Sequence, residues 1–314
     1  MIYADYFDKF KCKCGQCRHV CCGGWGITVS DDEYFRLLGL DCPEELRYIL
    51  DCALAPVDDP CPERYAMMKP SYEGKCRLLG KDGLCSLQVA CGEGVLPAVC
   101  RTYPRAVHED RAACSASCEK TVELLMRREP LSFSSPLPEP LNTYIKAVQN
   151  RALPLNTRLE GLVRGSFPRG YSYSFYGLIS MYSSILSESF PHFKEIFVDG
   201  FDAYKEDNDF YYDMEAFGKA FPDASLWFEN LLANRMFVTG FPGEELQTAL
   251  CGLCCEYALI RAATVRCRTE EQFADTVSEL YRFIAHTNFD RNSAAAIVRA
   301  GAYSEAGVCT LVRY

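Results

Sequence analysis

The segment Phe10–Trp25, FKCKCGQCRHVCCGGW, is the most cysteine-dense part of the chain. It holds five cysteines, and 14 of the 19 cysteines fall within the first 118 residues. Glycines at positions 15, 23, 24 and 26 interrupt the segment, which predicts loop and short turns rather than a helix. Such loops let side chains from several directions converge on one point. The sequence therefore indicates a fold organised around a site built from thiol groups.

Composition limits what these thiols can do. The chain has 314 residues, enough for one large or two ordinary hydrophobic cores, so small size does not explain the cysteines. The first residues, MIYADYFDKF, contain no basic segment and no apolar run, and we expect no signal peptide and a cytoplasmic location. Because thiols stay reduced in the cytoplasm, the remaining roles are metal ligand, catalytic group or buried apolar side chain.

The charge balance limits the partners. The formal net charge is −9, and no long basic stripe offsets it, which argues against a nucleic-acid partner. No apolar run approaches the length of a membrane span, so we expect no membrane partner either. An acidic chain is compatible with a basic substrate such as a lysine-bearing protein surface, although acidity also serves solubility alone.

Four cysteines of the N-terminal segment lie close together in sequence: Cys12, Cys17, Cys21 and Cys22 fall within eleven residues. Soft thiolate ligands select iron–sulfur clusters, zinc or copper(I). Four sulfurs at close spacing suit a tetrahedral zinc ion or a cluster. The alternative is a set of buried thiols, but reduced chains rarely gather so many cysteines for packing alone. This spacing therefore predicts a metal or cluster site.

Further cysteines lie beside predicted turns or helix starts. Cys76 and Cys85 flank a turn at residues 81–83. Cys100 lies in the segment CRTYPR, which is predicted to be extended because its tyrosine precedes a proline. Cys118 comes directly before a predicted helix. Thiols next to turns are readily aimed at a shared centre.

A proline-rich segment divides the sequence. Pro130–Pro140, PLSFSSPLPEP, has four prolines in eleven residues, which predicts a semi-rigid connector at residues 131–140. Residues 1–130 are predicted to form a loop-rich cysteine and metal domain with short helices. Residues 141–314 are predicted to form a helical domain packed on it. The predicted fold class is therefore mainly α.

Helix signals are strong on both sides of that segment. Ser30 and Glu33 form a predicted capping box, and elsewhere apolar residues recur at helical spacing. Residues 55–72 are predicted to be loop, with a short strand at 65–68. The predicted helices cover residues 31–38, 43–54, 119–128, 141–152, 156–163, 174–188, 209–220, 225–238, 244–266, 270–286 and 293–300.

The second half also holds isolated polar and sulfur-bearing residues. Cys251 and Cys255 share one face of an apolar helix, where we expect thiols to pack as small apolar groups rather than bind a metal. Glu229 and Asn230 interrupt another apolar helix, and they either line a pocket or cap another element. His286 ends a predicted helix, and a lone histidine is usually satisfied by local hydrogen bonds.

Four cysteine motifs together carry a family resemblance. FKCKCGQCRHVCCGGW, CRLLGKDGLCSLQ, LPAVCRTYPR and SCE resemble the zinc- or iron-chelating CxxCxxCC proteins, and most closely their longer flagellin lysine-N-methylase (FliB-like) branch. The second half adds an ENxxxN segment from Glu229 to Asn234, then an aromatic and FP, and a late His-x-Asn at His286. The resemblance covers nearly the whole chain. The family cysteines fall on Cys12, Cys17, Cys21, Cys22, Cys76, Cys85, Cys100 and Cys118.

The resemblance implies a protein lysine N-methyltransferase that uses S-adenosylmethionine and a flagellin-type protein substrate. It also implies a cysteine-bound iron–sulfur cluster, with [4Fe–4S] favoured and zinc as the alternative. Since a lysine amine must lose its proton before methylation, Tyr103, Glu229 and His286 are the candidate catalytic groups.

Arg101 and Arg105 in CRTYPR are candidates for binding a carboxylate of the cofactor, or for ordering the cysteine loop. Two other functions stay open at this point. One is a non-enzymatic metal-binding or electron-transfer protein, and the other is a cluster-dependent enzyme that modifies another peptide or small molecule.

Overall fold

The computed structural model describes residues 1–23, 26–171, 207–243 and 245–313, so the predicted helix at 174–188 lies outside the described residues. Within them the fold is mainly α with a few short strands, as predicted. The elements, in chain order, are β1 (Ile2–Tyr3), β2 (Ile27–Val29), α1 (Asp31–Leu38), α2 (Glu44–Ala53), β3 (Leu54–Cys61), β4 (Arg64–Met68), α3 (Ser86–Cys91), α4 (Ala98–Thr102), β5 (Arg105–Val107), β6 (Arg111–Cys114), α5 (Glu119–Leu125), α6 (Leu141–Val148), α7 (Leu155–Val163), α8 (Asp207–Ala220), α9 (Ala224–Thr239), α10 (Leu246–Thr264), α11 (Glu270–His286), α12 (Phe289–Arg299) and α13 (Glu305–Arg313).

Two units, each with its own hydrophobic core, make up the chain. Residues Lys11–Tyr103 form the smaller, cysteine-rich unit. Residues Met1–Phe10 and Pro104–Tyr314 form the larger unit. This division differs from the predicted one, in which residues 131–140 connect two domains.

The proline-rich segment is part of the larger unit because its residues are anchored there. β1 pairs in parallel with β6, which places the chain's first residues in the same unit. The Ser134 amide donates a hydrogen bond to the Tyr3 carbonyl oxygen at 2.9 Å. Leu131 is buried, and its amide donates to Oδ1 of Asn230 at 2.7 Å. Prolines signalled a connector, but the residues between them pair with the start of the chain and with α9.

The cysteine-rich unit contains a small antiparallel sheet with strand order β2-β4-β3. The predicted capping box of α1 is confirmed, because the Glu33 amide donates to Ser30 Oγ and the Ser30 amide donates to Glu33 Oε2. The prediction of loop at residues 55–72 is wrong for β3. That strand accommodates its prolines because it lies at the sheet edge, where a missing amide donor is tolerated.

The larger unit is built around α10. This helix is buried on nearly every side and packs against α7, α9, α11, α12 and α13. A helix that is apolar all round belongs in the centre of a helical domain. The described part of residues 141–313 contains helices and no strand, as predicted, but α13 was not predicted. No helix of the described residues is long and apolar enough to cross a membrane.

Candidate functional site

Backbone hydrogen bonds bring three of the predicted metal cysteines together in the cysteine-rich unit. The Cys76 amide donates to the Cys22 carbonyl oxygen at 2.6 Å. Gly23 and Lys75 form an adjacent antiparallel bridge. Cys85 pairs with Leu79 across the predicted turn, so the turn returns the chain toward Cys76.

Close glycine packing joins the first cysteines to this turn. A Cβ on Gly15 would lie 2.6 Å from the carbonyl oxygen of Asp82, and a Cβ on Gly83 would lie 3.0 Å from the Gly15 Cα. Gly83 also has a φ of 78°, a left-handed conformation that favours glycine. The short 3₁₀ turn Cys14–Gln16 therefore packs directly on the turn between Cys76 and Cys85.

Cys100 is presented by α4 in the same unit. The predicted extended conformation is wrong for Cys100, because Pro97 lies at the N-cap and starts a single helical turn. It holds for Tyr103, which ends the helix in an extended conformation before proline. The Ala98 amide at the start of α4 donates to Glu33 Oε1 at 2.6 Å, so the α1 capping box also fixes the helix that carries Cys100.

Electrostatic interactions show which thiols are neighbours. Cys100 is exposed as a whole residue, yet burial around its sulfur and the charges of Cys76, Cys85 and Cys21 raise its pKa to about 12. A hydrogen bond with Cys21, together with burial, raises the pKa of Cys22. Five of the eight predicted metal cysteines therefore interact with one another in this unit: Cys21, Cys22, Cys76, Cys85 and Cys100.

The other three predicted ligands are Cys12, Cys17 and Cys118. Burial and the charges of Cys14 and Cys21 raise the pKa of Cys12, and the Cys14 amide donates to Cys12 Sγ at 3.3 Å. Cys17 is half-buried in the same unit. Cys118 belongs to the larger unit, at the N-cap of α5.

The interacting cysteines fit a soft metal centre, because their thiol groups are the ligand type that such metals prefer. Thiols that raise one another's pKa are stabilised as thiolates by a nearby cation, and zinc or an iron–sulfur cluster supplies one. The arrangement is not a closed site, however. Among the described residues, no group of three or more His, Cys, Asp or Glu side chains is positioned to hold a metal ion.

The larger unit contains a cavity of about 430 Å³ between the second half of α9, the end of α11 and the start of α12. Asn234 and Asn288, two polar residues of the family-like motifs, both line it. Asn234 is fixed by the N-terminal segment, since its Oδ1 accepts from the Tyr6 hydroxyl at 2.5 Å. Its Nδ2 donates to the Cys114 carbonyl oxygen at 3.0 Å.

A buried cluster of charged groups adjoins this cavity. Nη2 of Arg235 donates to Oδ1 of Asp290 at 2.5 Å, and its Nη1 lies 3.1 Å from Oε2 of Glu256. The Tyr281 hydroxyl donates to Oε1 of Glu256. Arg235 also lies over the Phe289 ring, 5.6 Å from its centroid. We call Arg235, Glu256, Tyr281 and Asp290 the charged cluster; all but Glu256 line the cavity.

Burial sets the proton affinities in the charged cluster. Burial raises the pKa of Glu256 to about 7, although the Arg235 charge lowers it in part. Burial and the Glu256 charge raise the pKa of Tyr281. Burial alone would lower the pKa of Arg235, but Glu256 and Asp290 outweigh it and raise that pKa. The cluster therefore holds a permanent cation and a carboxyl group able to titrate near neutral pH.

Glu229, a predicted catalytic residue, is held in a buried ion pair away from the cavity lining. Arg158 Nη1 lies 2.6 Å from Oε2 of Glu229, and Arg151 Nη2 lies 2.7 Å from Oε1. Asn230 accepts from the Leu131 amide, as described above, and donates to two carbonyl oxygens. Of the two roles open for this pair of residues, the contacts support the structural one.

His286 lies at the edge of the cavity. Its Nε2 is 3.2 Å from Ser117 Oγ, and Ser117 Oγ is 2.8 Å from Ser115 Oγ, which lines the cavity with Ala285 and Thr287. Burial, with a smaller effect from the Arg282 charge, lowers the pKa of His286. This hydrogen bond joins His286 to a residue 169 positions away in the sequence rather than to a local neighbour, and a catalytic role for His286 stays a prediction.

The other predicted site residues are distributed between the two units. Tyr103 is half-buried and Arg101 is exposed, both at the end of α4 in the cysteine-rich unit. Arg105 begins β5 in the larger unit, with its guanidinium 5.0 Å from the centroid of the Phe10 ring. A cofactor-binding role for the two arginines stays a prediction.

Sequence reasoning missed the charged cluster. The signal that singled out Glu229, a charged residue inside an apolar helix, also exists for Glu256 in CGLCCEYALI and for Arg235. Nothing in the sequence shows that these two residues, on different helices, form a pair. Asp290 lies in the first turn of α12, where an acidic residue is expected for the helix dipole alone.

Comparison with known proteins confirms the predicted resemblance to the FliB-like family. The model of the FliB lysine N-methylase C-terminal domain matches residues 166–310. This segment includes α9 to α12, which carry the charged cluster. The wider likeness to CxxCxxCC proteins stays a prediction.

Individual relatives are similar over shorter stretches. The lysine-N-methylase of Salmonella typhimurium is 28% identical over 134 residues, which cover 41% of this chain and 33% of that protein. The lysine-N-methylase of Salmonella choleraesuis gives the same identity and coverage. The flagellar biosynthetic protein FliU of Salmonella muenchen is 26% identical over 125 residues, 38% of this chain and 73% of FliU. The match thus spans about a third of the length of the two lysine-N-methylases, and no solved structure gives a significant match.

Proposed function

We propose that this chain is a protein lysine N-methyltransferase that uses S-adenosylmethionine and methylates a flagellin-type protein. The observation that carries the proposal is the match of residues 166–310 to the FliB lysine N-methylase C-terminal domain. That segment supplies most of the lining of the 430 Å³ cavity, including Arg235, Tyr281 and Asp290. Pockets of this size and mixed polarity are the usual binding sites for small molecules and side chains.

The cavity offers chemistry suited to an amine. Methyl transfer needs the neutral amine, whereas a lysine side chain with a pKa near 10.4 is protonated at neutral pH. An active site must therefore withdraw the amine from water and provide an acceptor for its proton. Polar and apolar groups line this cavity together, and a carboxyl group that titrates near neutral pH lies behind it.

The interacting thiols support a cysteine-bound metal centre in the same protein. We propose an iron–sulfur cluster, with zinc as the alternative, held by cysteines of the smaller unit from among Cys12, Cys17, Cys21, Cys22, Cys76, Cys85 and Cys100; a ligand role for Cys118 stays a separate prediction. When bound, such a cluster would supply Lewis-acid chemistry able to bind the amino and carboxylate groups of S-adenosylmethionine.

A direct assay tests the proposal. The chain, purified without oxygen, is incubated with methyl-labelled S-adenosylmethionine and flagellin from the same source, and the products are analysed by peptide mass spectrometry. Methyl groups on flagellin lysines are expected. If the chain binds S-adenosylmethionine but methylates another peptide, it is a methyltransferase whose substrate is not flagellin. A protein that contains metal but neither binds S-adenosylmethionine nor transfers a methyl group would be a metal-binding or electron-transfer protein instead.

A further inference from the structure

The charged cluster combines groups that recognise an alkyl ammonium ion. Asp290 contributes a carboxylate to the cavity, and Phe289 also lines it, although the Arg235 guanidinium lies over its ring. Carboxylates attract cationic amines. The guanidinium of Arg235 is already bound by Asp290 and Glu256, so it holds these carboxylates in place rather than presenting free positive charge.

A proton acceptor lies directly behind the cavity wall. Tyr281 lines the cavity, and its hydroxyl donates a hydrogen bond to Glu256, which is fully buried. Among the described residues, the charged and titratable groups with the largest effects on Glu256 are Arg235 from α9, Tyr281 from α11 and Asp290 from α12. A carboxyl group that titrates near the working pH is suited to taking up and releasing a proton.

We propose that the cavity binds the primary-amine side chain of the substrate lysine, and that Tyr281 accepts its proton while passing its own hydroxyl proton to Glu256. In this assignment Tyr281 is a catalytic residue because it contacts the amine. Glu256 is a positioning residue that acts through Tyr281, and Asp290 attracts the ammonium ion. The inference rests on the proposed function and names the residues that prepare the amine for it.

Protons and electrons balance in this scheme. One ammonium proton moves to the Tyr281 oxygen as the Tyr281 proton moves to Oε1 of Glu256, which leaves a neutral amine and a neutral carboxyl group. The nitrogen lone pair then forms the N–C bond to the methyl group. The C–S bond breaks with its electron pair on sulfur, which gives S-adenosylhomocysteine. Glu256 returns its proton to water through Tyr281 after the product leaves.

The test is calorimetric titration of the full chain with n-butylamine, an analogue of the lysine side chain, between pH 5.5 and 8.5. Wild type should bind the amine above pH 7 and lose affinity as Glu256 becomes protonated. Glu256→Gln should lose this pH step and at least tenfold in affinity at pH 8. Tyr281→Phe should lose affinity by the same factor. Because this variant keeps the Arg235–Glu256 ion pair, it still tests the inference if Glu256→Gln fails to fold.

Matched variants outside the cavity provide the controls. Tyr303→Phe removes a hydroxyl that donates to Gln247, and Glu160→Gln removes a carboxylate paired with Arg313. Both should bind n-butylamine as wild type does. The inference is overturned if wild type does not bind the amine, or if folded Glu256→Gln and Tyr281→Phe keep the wild-type affinity and pH profile.

The methyl-transfer assay separates this inference from the proposed function. If n-butylamine binds as described but no methyl group is transferred, the cavity is an amine site and the proposed function fails. If flagellin is methylated at the wild-type rate by both variants, the proposed function stands and the assignment of Tyr281 and Glu256 fails.

Discussion

Gly252 on α10 lies directly beneath the carboxylate of Asp290 on α12. A Cβ at position 252 would come within 1.7 Å of Asp290 Oδ1, the atom that accepts the hydrogen bond from Arg235. Absence of a side chain in the middle of α10 therefore lets the two helices meet closely enough for Asp290 to join the charged cluster.

Gly252→Ala is expected to displace Asp290 from Arg235. Replacing a glycine in a helix interior by alanine normally stabilises the protein by up to about 1 kcal/mol. Here, however, the added methyl group collides with a carboxylate that a buried cation holds in place. We expect a net loss of stability in urea unfolding and weaker n-butylamine binding. Gly161→Ala on α7 is the matched control and should be neutral or stabilising, because among the described residues no atom beyond its own stretch of helix lies within 4 Å of its Cβ position.

The ion pair of Glu229 with Arg158 predicts a structural rather than catalytic phenotype. Both side chains are at most 5% exposed, and removal of one partner leaves a buried charge uncompensated. Glu229→Ala should therefore cost about 3–5 kcal/mol of unfolding free energy. Glu160→Ala, which breaks the more exposed pair with Arg313, should cost at most about 1 kcal/mol. Wild-type stability of Glu229→Ala with complete loss of methyl transfer would instead favour the catalytic role.

Glu256 should make stability fall as pH rises. Its pKa is about 7 in the folded chain against 4.5 ordinarily, so between these values the folded state binds more protons than the unfolded state. The unfolding free energy then decreases with rising pH, by about 3 kcal/mol in total for this group. Urea unfolding between pH 4.5 and 7.5 should show this decrease relative to Glu256→Gln, and Tyr303→Phe should keep it. Parallel profiles of wild type and Glu256→Gln would show that Glu256 does not titrate in this range.

The helices of the larger unit could be predicted because their apolar periodicity and caps are local. The predicted capping box of α1 in the smaller unit shows the same locality, since it depends on Ser30 and Glu33, only three positions apart. Edge strand β3 could not be predicted, because its prolines are tolerated only through its position in the sheet. The placement of residues 131–140 in the larger unit likewise could not be predicted, because it depends on hydrogen bonds to Tyr3 and Asn230, which are distant in sequence.

The candidate site was predictable in part for the same reason. Cysteine spacing identifies Cys21 and Cys22 as neighbours, and the turn at 81–83 identifies Cys76 and Cys85 as another pair. The charged cluster was not predictable, because Arg235, Glu256 and Asp290 each come from a different helix. A charged residue in an apolar helix signals that a buried partner exists without saying where it lies.

Cys100 and Cys251 are expected to have opposite roles, one as a metal ligand and the other in packing. Cys100 lies among interacting thiols in the smaller unit, whereas Cys251 is fully buried within α10 in the larger unit. Cys100→Ser should remove most of the iron and sulfide, or zinc, from protein prepared without oxygen, and should lower the melting temperature because metal-binding energy contributes to folding. Cys251→Ser should keep the metal and cost about 1–3 kcal/mol for burying a hydroxyl without a partner.

Metal analysis, absorption spectra and melting curves of the two variants decide between ligand and packing roles. If Cys251→Ser loses the metal while Cys100→Ser keeps it, the proposed ligands are wrong and the metal belongs to the larger unit. If wild type prepared without oxygen is folded and active with neither iron nor zinc, both the cluster and the zinc proposals fail, because an active chain would then need no metal-bound cysteine.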